Sequence, residues 1–203
     1  MMDKIIEECL NLSTNQKEGC CFVVETEKVK TKYYKDYNSD IFKKNGKHLS
    51  VLNKKDKTTI KHLASLDGAM IIDKKGRLLH YGATLIYSDK FVGHGKRHAF
   101  ALGTSKKIPE IVSILSSEED KHTRAFKSGI CIFDIDSSTK LSTSKKQIFA
   151  DILSAPISKT LIASGIATSV LTLNPIPAII TISGSYVIVS EGFDRLKAAF
   201  KKK

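Results

Sequence analysis

Residues 65–103 read SLDGAMIIDKKGRLLHYGATLIYSDKFVGHGKRHAFALG, and two polar clusters within them organise the whole chain. The apolar run Ala69 to Ile72 predicts a short strand, Asp73-Lys74-Lys75-Gly76 carries turn chemistry, and residues 77–82 return as the second strand of a hairpin. Asp67-Gly68 therefore stands at a strand entrance. The second cluster, Gly93-His94-Gly95-Lys96-Arg97-His98, opens a segment whose Ala99, Ala101 and Leu102 predict a helix. Free backbone N–H groups at such a start, together with the helix dipole, favour an anion. Lys96 and Arg97 add full positive charge at that point.

Each cluster also has a plain reading, since an Asp-Gly pair is commonly a turn and a glycine before a basic helix start is common. Familiar phosphate loops are excluded. Gly95-Lys96 is followed by Arg97 without the earlier glycine of a Walker pattern, and no GxGxxG follows a strand.

Order and spacing add a resemblance. Asp67-Gly68-Ala69, then Lys96-Arg97-His98-Ala99 after Gly95, then Ser117-Glu118-Glu119, resemble the Asp-Gly-Ala, Gly-x-Arg-His-Arg and Ser-Glu-Glu motifs of the diadenylate cyclase (DisA N-terminal) domain family. Residues 18–25, EGCCFVVE, look like that family's first strand, and residues 101–105, ALGTS, like the helix after the basic motif. The likeness spans roughly residues 5–136. The chain departs from it in two places: Ala99 stands where the family has a second arginine, and Lys96 where it has a small polar residue.

The resemblance implies a mixed α/β (α+β) fold, a central sheet flanked by helices. It also implies that two domains face each other as dimers, each holding ATP, and make cyclic di-AMP with release of two pyrophosphates. Asp67 would be catalytic and, with Glu118, would hold Mg²⁺ or Mn²⁺. Arg97 would be catalytic through the departing pyrophosphate, with Lys96, His98 and Ala99 completing the phosphate cradle. Gly68, Ala69 and Leu85 would contact the nucleotide. Loss of the second arginine at Ala99 supports an alternative, a catalytically weak nucleotide sensor of the same fold.

With 203 residues the chain holds one ordinary domain and an appendage. Cys9, Cys20, Cys21 and Cys131 show no zinc spacing and predict buried, reduced thiols of a cytoplasmic protein. With Asp3, Lys4, Glu7 and Glu8 within residues 1–12, no charged n-region followed by an apolar run stands at the start, and the expectation is that there is no secretory signal. The net charge of +12 is spread along the chain without a single stripe, and few aromatics interleave with the lysines. That argues against nucleic acid and for a solvated lysine-rich surface.

Along the chain, Ile5, Ile6, Cys9, Leu10 and Leu12 predict an amphipathic helix over residues 2–12, with a loop over 11–19. Residues 20–25 and 28–34 predict strands, 35–57 is polar, and 58–65 predicts a helix or turn with His62 and Leu63 inward. Residues 110–115 and 129–133 predict two further strands.

Residues 1–136 form the predicted nucleotide-binding domain, and 137–146, rich in Ser, Thr and Lys, a linker. Residues 147–203 then predict a hydrophobic helical hairpin. No residue from 160 to 190 is charged, and Asn174-Pro175 divides the stretch into helices over about 157–173 and 175–200. Alternation around Ile180 and Ile182 also admits a strand. Each apolar piece is shorter than the ~20 residues of a simple span, while lysines flank both ends. The expectation is a hairpin lying on or in a membrane lipid surface, and its rival an element that covers the domain or drives oligomerisation.

Overall fold

The structure is a computed structural model that describes residues 1–14, 16, 18–35, 48–137, 143–154, 181–182 and 185–186. In chain order its elements are α1 (Met2–Thr14), β1 (Cys20–Glu25), β2 (Tyr34–Lys35), α2 (Lys57–Ala64), β3 (Ala69–Ile72), β4 (Leu78–Leu85) and α3 (Lys96–Lys107). They are followed by β5 (Ile111–Ser116), β6 (His122–Lys127), β7 (Ile130–Asp136) and α4 (Thr143–Ser154).

Seven strands form one sheet in the order β2-β4-β3-β1-β5-β6-β7. β1 is its middle strand, parallel to β3 and antiparallel to β5, so the sheet is mixed as expected. Its sequence CCFVVE is apolar on both faces because both faces are covered. Cys20, Phe22 and Val24 join Met70, Ile72, Val112 and Ile114 in a core beneath Ile5, Ile6, Cys9 and Leu10 of α1 and Ile60 of α2. Cys21 and Val23 face the other way, with Ala69, Ile71 and Leu115, against Ala101 and Leu102 of α3. The period-two alternation of the strands thus separates two cores.

The turn at residues 73–76 is the predicted one. Asp73 accepts hydrogen bonds from the backbone N–H of Lys75 and Arg77 through Oδ1, and Arg77 Nε donates to its Oδ2 at 2.8 Å. Several expectations need correction. The loop set at 11–19 begins later, because α1 runs to Thr14 with Leu12 and Ser13 buried. Residues 28–33 form no strand and only Tyr34–Lys35 pairs with β4; within the lysine-rich run 27–32 Val29 alone is apolar and packs against the second core. His62 is exposed and Leu63 half-buried; α2 turns Ile60 and Ala64 inward instead.

β6, a strand that residues 110–133 were not expected to hold, pairs on both sides. Ser128 and Gly129, at φ 51° and 75°, close its hairpin with β7. Two consecutive residues in the left-handed region match the twist of the strands they join.

The linker expected over 137–146 ends early, because α4 is helical from Thr143. Ala150 and Leu153 are buried in the first core, Lys146 Nζ donates to Asn11 Oδ1 at 2.6 Å, and Lys127 Nζ donates to Leu153 O at 2.5 Å. Burial pushes the Lys127 ammonium down to about 8. α4 is therefore part of the sheet domain and not of the appendage. Most of the expected hairpin lies outside the described residues. Of residues 155–203 only Thr181–Ile182 and Ser185–Tyr186 are described, and they pair antiparallel. No helix among the described residues is long and apolar enough to cross a membrane.

Candidate functional site

Sheet register brings the three motifs to one end of the molecule. Cys20, the first residue of β1, pairs with Ser116, the last of β5, and Ala69, the first of β3, pairs with Ala83 near the end of β4. The starts of two parallel strands and the ends of their antiparallel neighbours thus share one edge, where α3 also begins. There a cavity of about 620 Å³ opens, within the size range of small-molecule sites. Its polar side carries Asp67, Lys96, Arg97, Glu118 and Glu119, and its apolar side Cys21, Ala69, Leu85, Phe100 and Leu115.

Asp67, Gly68, Ala69, Leu85, Lys96, Arg97, His98 and Glu118, all expected site residues, line this cavity. Ala99 does not. Its carbonyl accepts the backbone N–H of Asp89 at 2.9 Å, which ties the first turn of α3 to the preceding loop. Thr84, Ser117, Phe100 and Cys21 also line the cavity, and sequence reasoning passed over them as cavity residues. Alternation along the strands places Cys21 on this face with Ala83 and Leu85, but it turns Thr84 to the other face, so no period in the sequence could have found Thr84. Burial pushes the Cys21 thiol up to about 12, so it presents an uncharged, unreactive wall.

Asp67 is 92 % exposed, and its Oδ1 accepts from Arg97 Nη2 at 3.0 Å. Such a pair between solvated groups is weakly held, and it aims the guanidinium across the mouth of the cavity. Gly68 is required for reasons of its own. Its φ is +101°, and a Cβ there would lie 2.4 Å from the backbone carbon of Gly82, so two backbones cross without side chains between them. The residue capping α3 is Gly95, which offers no side-chain hydrogen bond to the first N–H groups of the helix.

Below this rim lies a buried ionic network that the sequence did not announce. Arg124 of β6 is 4 % exposed and donates from Nε to Asp134 Oδ2 at 2.8 Å and from Nη1 to Asp120 Oδ2 at 2.6 Å. Its Nη1 also lies 2.8 Å from His98 Nε2. An arginine can only donate, so His98 Nε2 is the acceptor and the imidazole is neutral. Burial, with the guanidinium beside it, pushes His98 down to about 4. Burial alone would push the Asp120 carboxyl up, but hydrogen bonds from Arg124 and Ser117 outweigh it and hold it below the usual range.

His94, His98 and Asp120 bring one ligand atom each within 4.8 Å of one another, the one such three-ligand group among the described residues. A cation already serves that position: the guanidinium of Arg124 holds both Asp120 and His98. Asp67 and Glu118 instead offer carboxylate oxygens to the open cavity, the hard donors that Mg²⁺ or Mn²⁺ prefer, and so fit a divalent ion. The His98 side chain, expected in the phosphate cradle, is bonded through Nε2 to Arg124, which ties the first turn of α3 to β6.

A diadenylate cyclase of Methanocaldococcus jannaschii is 34 % identical over 94 residues, 45 % of this chain and 30 % of that protein. The chain thus matches less than a third of its relative's length. Among solved structures, a hypothetical membrane spanning protein from Bacillus cereus is 20 % identical, with 61 % of this chain and 58 % of the other covered at a TM-score of 0.48. A double mutant of DacA from Staphylococcus aureus is 17 % identical, with 74 % and 93 % covered at 0.47. Residues 7–131, more than half of the chain, match the family model described as DisA bacterial checkpoint controller nucleotide-binding, and the chain belongs to that diadenylate cyclase (DAC) domain family.

Proposed function

We propose that this protein condenses two ATP molecules into cyclic di-AMP and releases two pyrophosphates. The observation that carries the reading is a single cavity in which Asp67 and Glu118 face Arg97, Lys96 and an uncapped helix start, with an apolar wall behind them. A purine suits the wall of Ala69, Leu85 and Leu115. A triphosphate suits the cations, with Arg97 leaving its weak pair with Asp67 to donate to phosphate oxygens.

In this reading the 3′-hydroxyl of one nucleotide attacks the α-phosphorus of the other. A P–O bond forms, the hydroxyl proton passes to solvent, the bond to pyrophosphate breaks, and the reciprocal attack closes the ring. Because each nucleotide must attack the other, two copies of the domain have to meet with their open cavities facing. Arg97 donates bidentately to the oxygens on which charge develops, Lys96 adds a point charge, and His98, neutral and held by Arg124, keeps the helix start in register. Asp67 and Glu118 would hold a divalent ion, Mg²⁺ or Mn²⁺, which when bound makes the hydroxyl more acidic and offsets phosphate charge.

A second reading, a nucleotide sensor of the same fold that turns over weakly, is favoured by Ala99, which brings no charge to the cavity. Incubation with ATP and Mn²⁺ or Mg²⁺, followed by mass spectrometry, decides between them. Cyclic di-AMP supports the cyclase. Bound but unchanged ATP at all metal and protein concentrations supports the sensor, and absence of ATP binding defeats both. The membrane association of the C-terminal segment remains a separate proposal, resting on its uncharged stretch and flanking lysines.

A further inference from the structure

Gly19 lies in the short connection between α1 and β1, outside the motifs and outside the lining of the cavity. It is buried, and its backbone is not in the left-handed region that glycine alone favours. An alanine would meet no conformational penalty there. What a side chain would meet is Arg97: a Cβ built on Gly19 stands 2.5 Å from Arg97 Nη1, whereas its next neighbours, Ser116 O at 3.4 Å and Glu118 N at 3.5 Å, are at ordinary contact distance. The backbone N–H of Gly19 points to Glu118 Oε2 at 3.5 Å. Gly19 therefore underlies both the guanidinium and one of the cavity's carboxylates.

We infer that Gly19 is a positioning residue for the site: its missing side chain is the space in which the Arg97 guanidinium lies, aimed at Asp67. At Gly68 an added Cβ collides with backbone, which cannot yield, and the fold suffers. At Gly19 it collides with the far end of a flexible side chain, which swings away by about 0.9 Å to reach the 3.4 Å of an ordinary contact. The fold survives and the aim of Arg97 is lost. Misplacing a group by about 1 Å can cost roughly a hundredfold in rate.

The functional consequence rests on the proposed reading that Arg97 binds nucleotide phosphate, while the positional one does not. The test uses the full chain and three variants: Gly19→Ala, Arg97→Ala and the two combined. Gly19→Ala is expected to melt within about 2 °C of the wild type and to lose roughly ten- to a hundredfold in ATP affinity, the worth of a charged hydrogen bond. Adding Gly19→Ala to Arg97→Ala is expected to change that affinity less than about twofold, because the collision partner is gone.

A direct readout is the side-chain Nε–Hε NMR signal of Arg97, assigned by its loss in Arg97→Ala, which is expected to shift in Gly19→Ala without added nucleotide. An unmoved signal overturns the inference, as does an equal loss of affinity from Gly19→Ala in both backgrounds. Unfolding of Gly19→Ala that Arg97→Ala relieves upholds it; unfolding in both backgrounds overturns it. Should the wild type bind no ATP, the proposed function falls alone, and the NMR shift decides for or against Gly19.

Discussion

Acidification is the most direct way to address the network beneath the cavity. His98 takes up its proton at about 4 in the folded protein against an ordinary value of 6.5. The unfolded chain therefore binds that proton first as pH falls. The stability linked to a neutral His98 is fully present above pH 6.5 and is lost progressively as pH drops toward 4. At 1.36 kcal/mol per unit of pKa difference, the whole effect is roughly 3 kcal/mol, of which about 2 kcal/mol is gone by pH 5. Carboxyls held below their usual range, such as Asp3, Asp89 and Asp120, add their own losses at lower pH, and Glu25, pushed up by burial, works in the opposite sense.

A difference measurement removes these contributions. His98→Gln keeps an acceptor for Arg124 but cannot titrate, so urea unfolding of both proteins at pH 7, 6, 5 and 4.5 isolates the histidine. The stability of the wild type relative to His98→Gln is expected to decline by about 2 kcal/mol between pH 7 and pH 5. A difference that stays constant over that range would mean that His98 is not held neutral against Arg124, and the account of the network would be refuted.

Other expected outcomes concern the same residues and the appendage. Arg124→Met leaves Asp134, Asp120 and His98 without their shared donor, and thermal or urea unfolding should show a loss of about 3–5 kcal/mol that Arg124→Lys does not restore, since lysine cannot bridge three acceptors in one plane. Asp67→Asn should abolish cyclic di-AMP formation while titration calorimetry finds ATP affinity nearly intact. Arg97→Ala should weaken ATP binding itself roughly ten- to a hundredfold, and equal binding in the two variants would defeat this division of roles. Full-length protein should float with anionic liposomes and detach as salt rises, and a chain ending at residue 154, with α4 retained, should stay behind and still bind ATP. Free solubility of the full chain together with aggregation of the shortened one would withdraw the membrane proposal.

Much of the molecule was legible in the sequence because it is encoded locally. Asp73-Lys74-Lys75-Gly76 specifies its own turn, Ile5, Ile6, Cys9 and Leu10 their own helical face, and Cys20 to Glu25 a strand buried on both sides. The three motifs meet at one cavity because each is a short piece of chain at the end of an element: Asp67 before β3, Lys96 opening α3, and Glu118 after β5. β6 was not legible. Its HTRAFK looks like surface until Arg124 finds Asp120, Asp134 and His98, partners 4, 10 and 26 residues away that only the folded sheet assembles.

The same limit hid α4, which takes its place through Ala150, Leu153 and a hydrogen bond to Lys127. It also hid Gly19, an unremarkable loop residue until Arg97 lies across it. Local propensity and period are properties of adjacent residues and can be read along the chain. The cost of burying a charge, and the room left by a missing side chain, depend on atoms brought close only by the tertiary structure, and those were decided there.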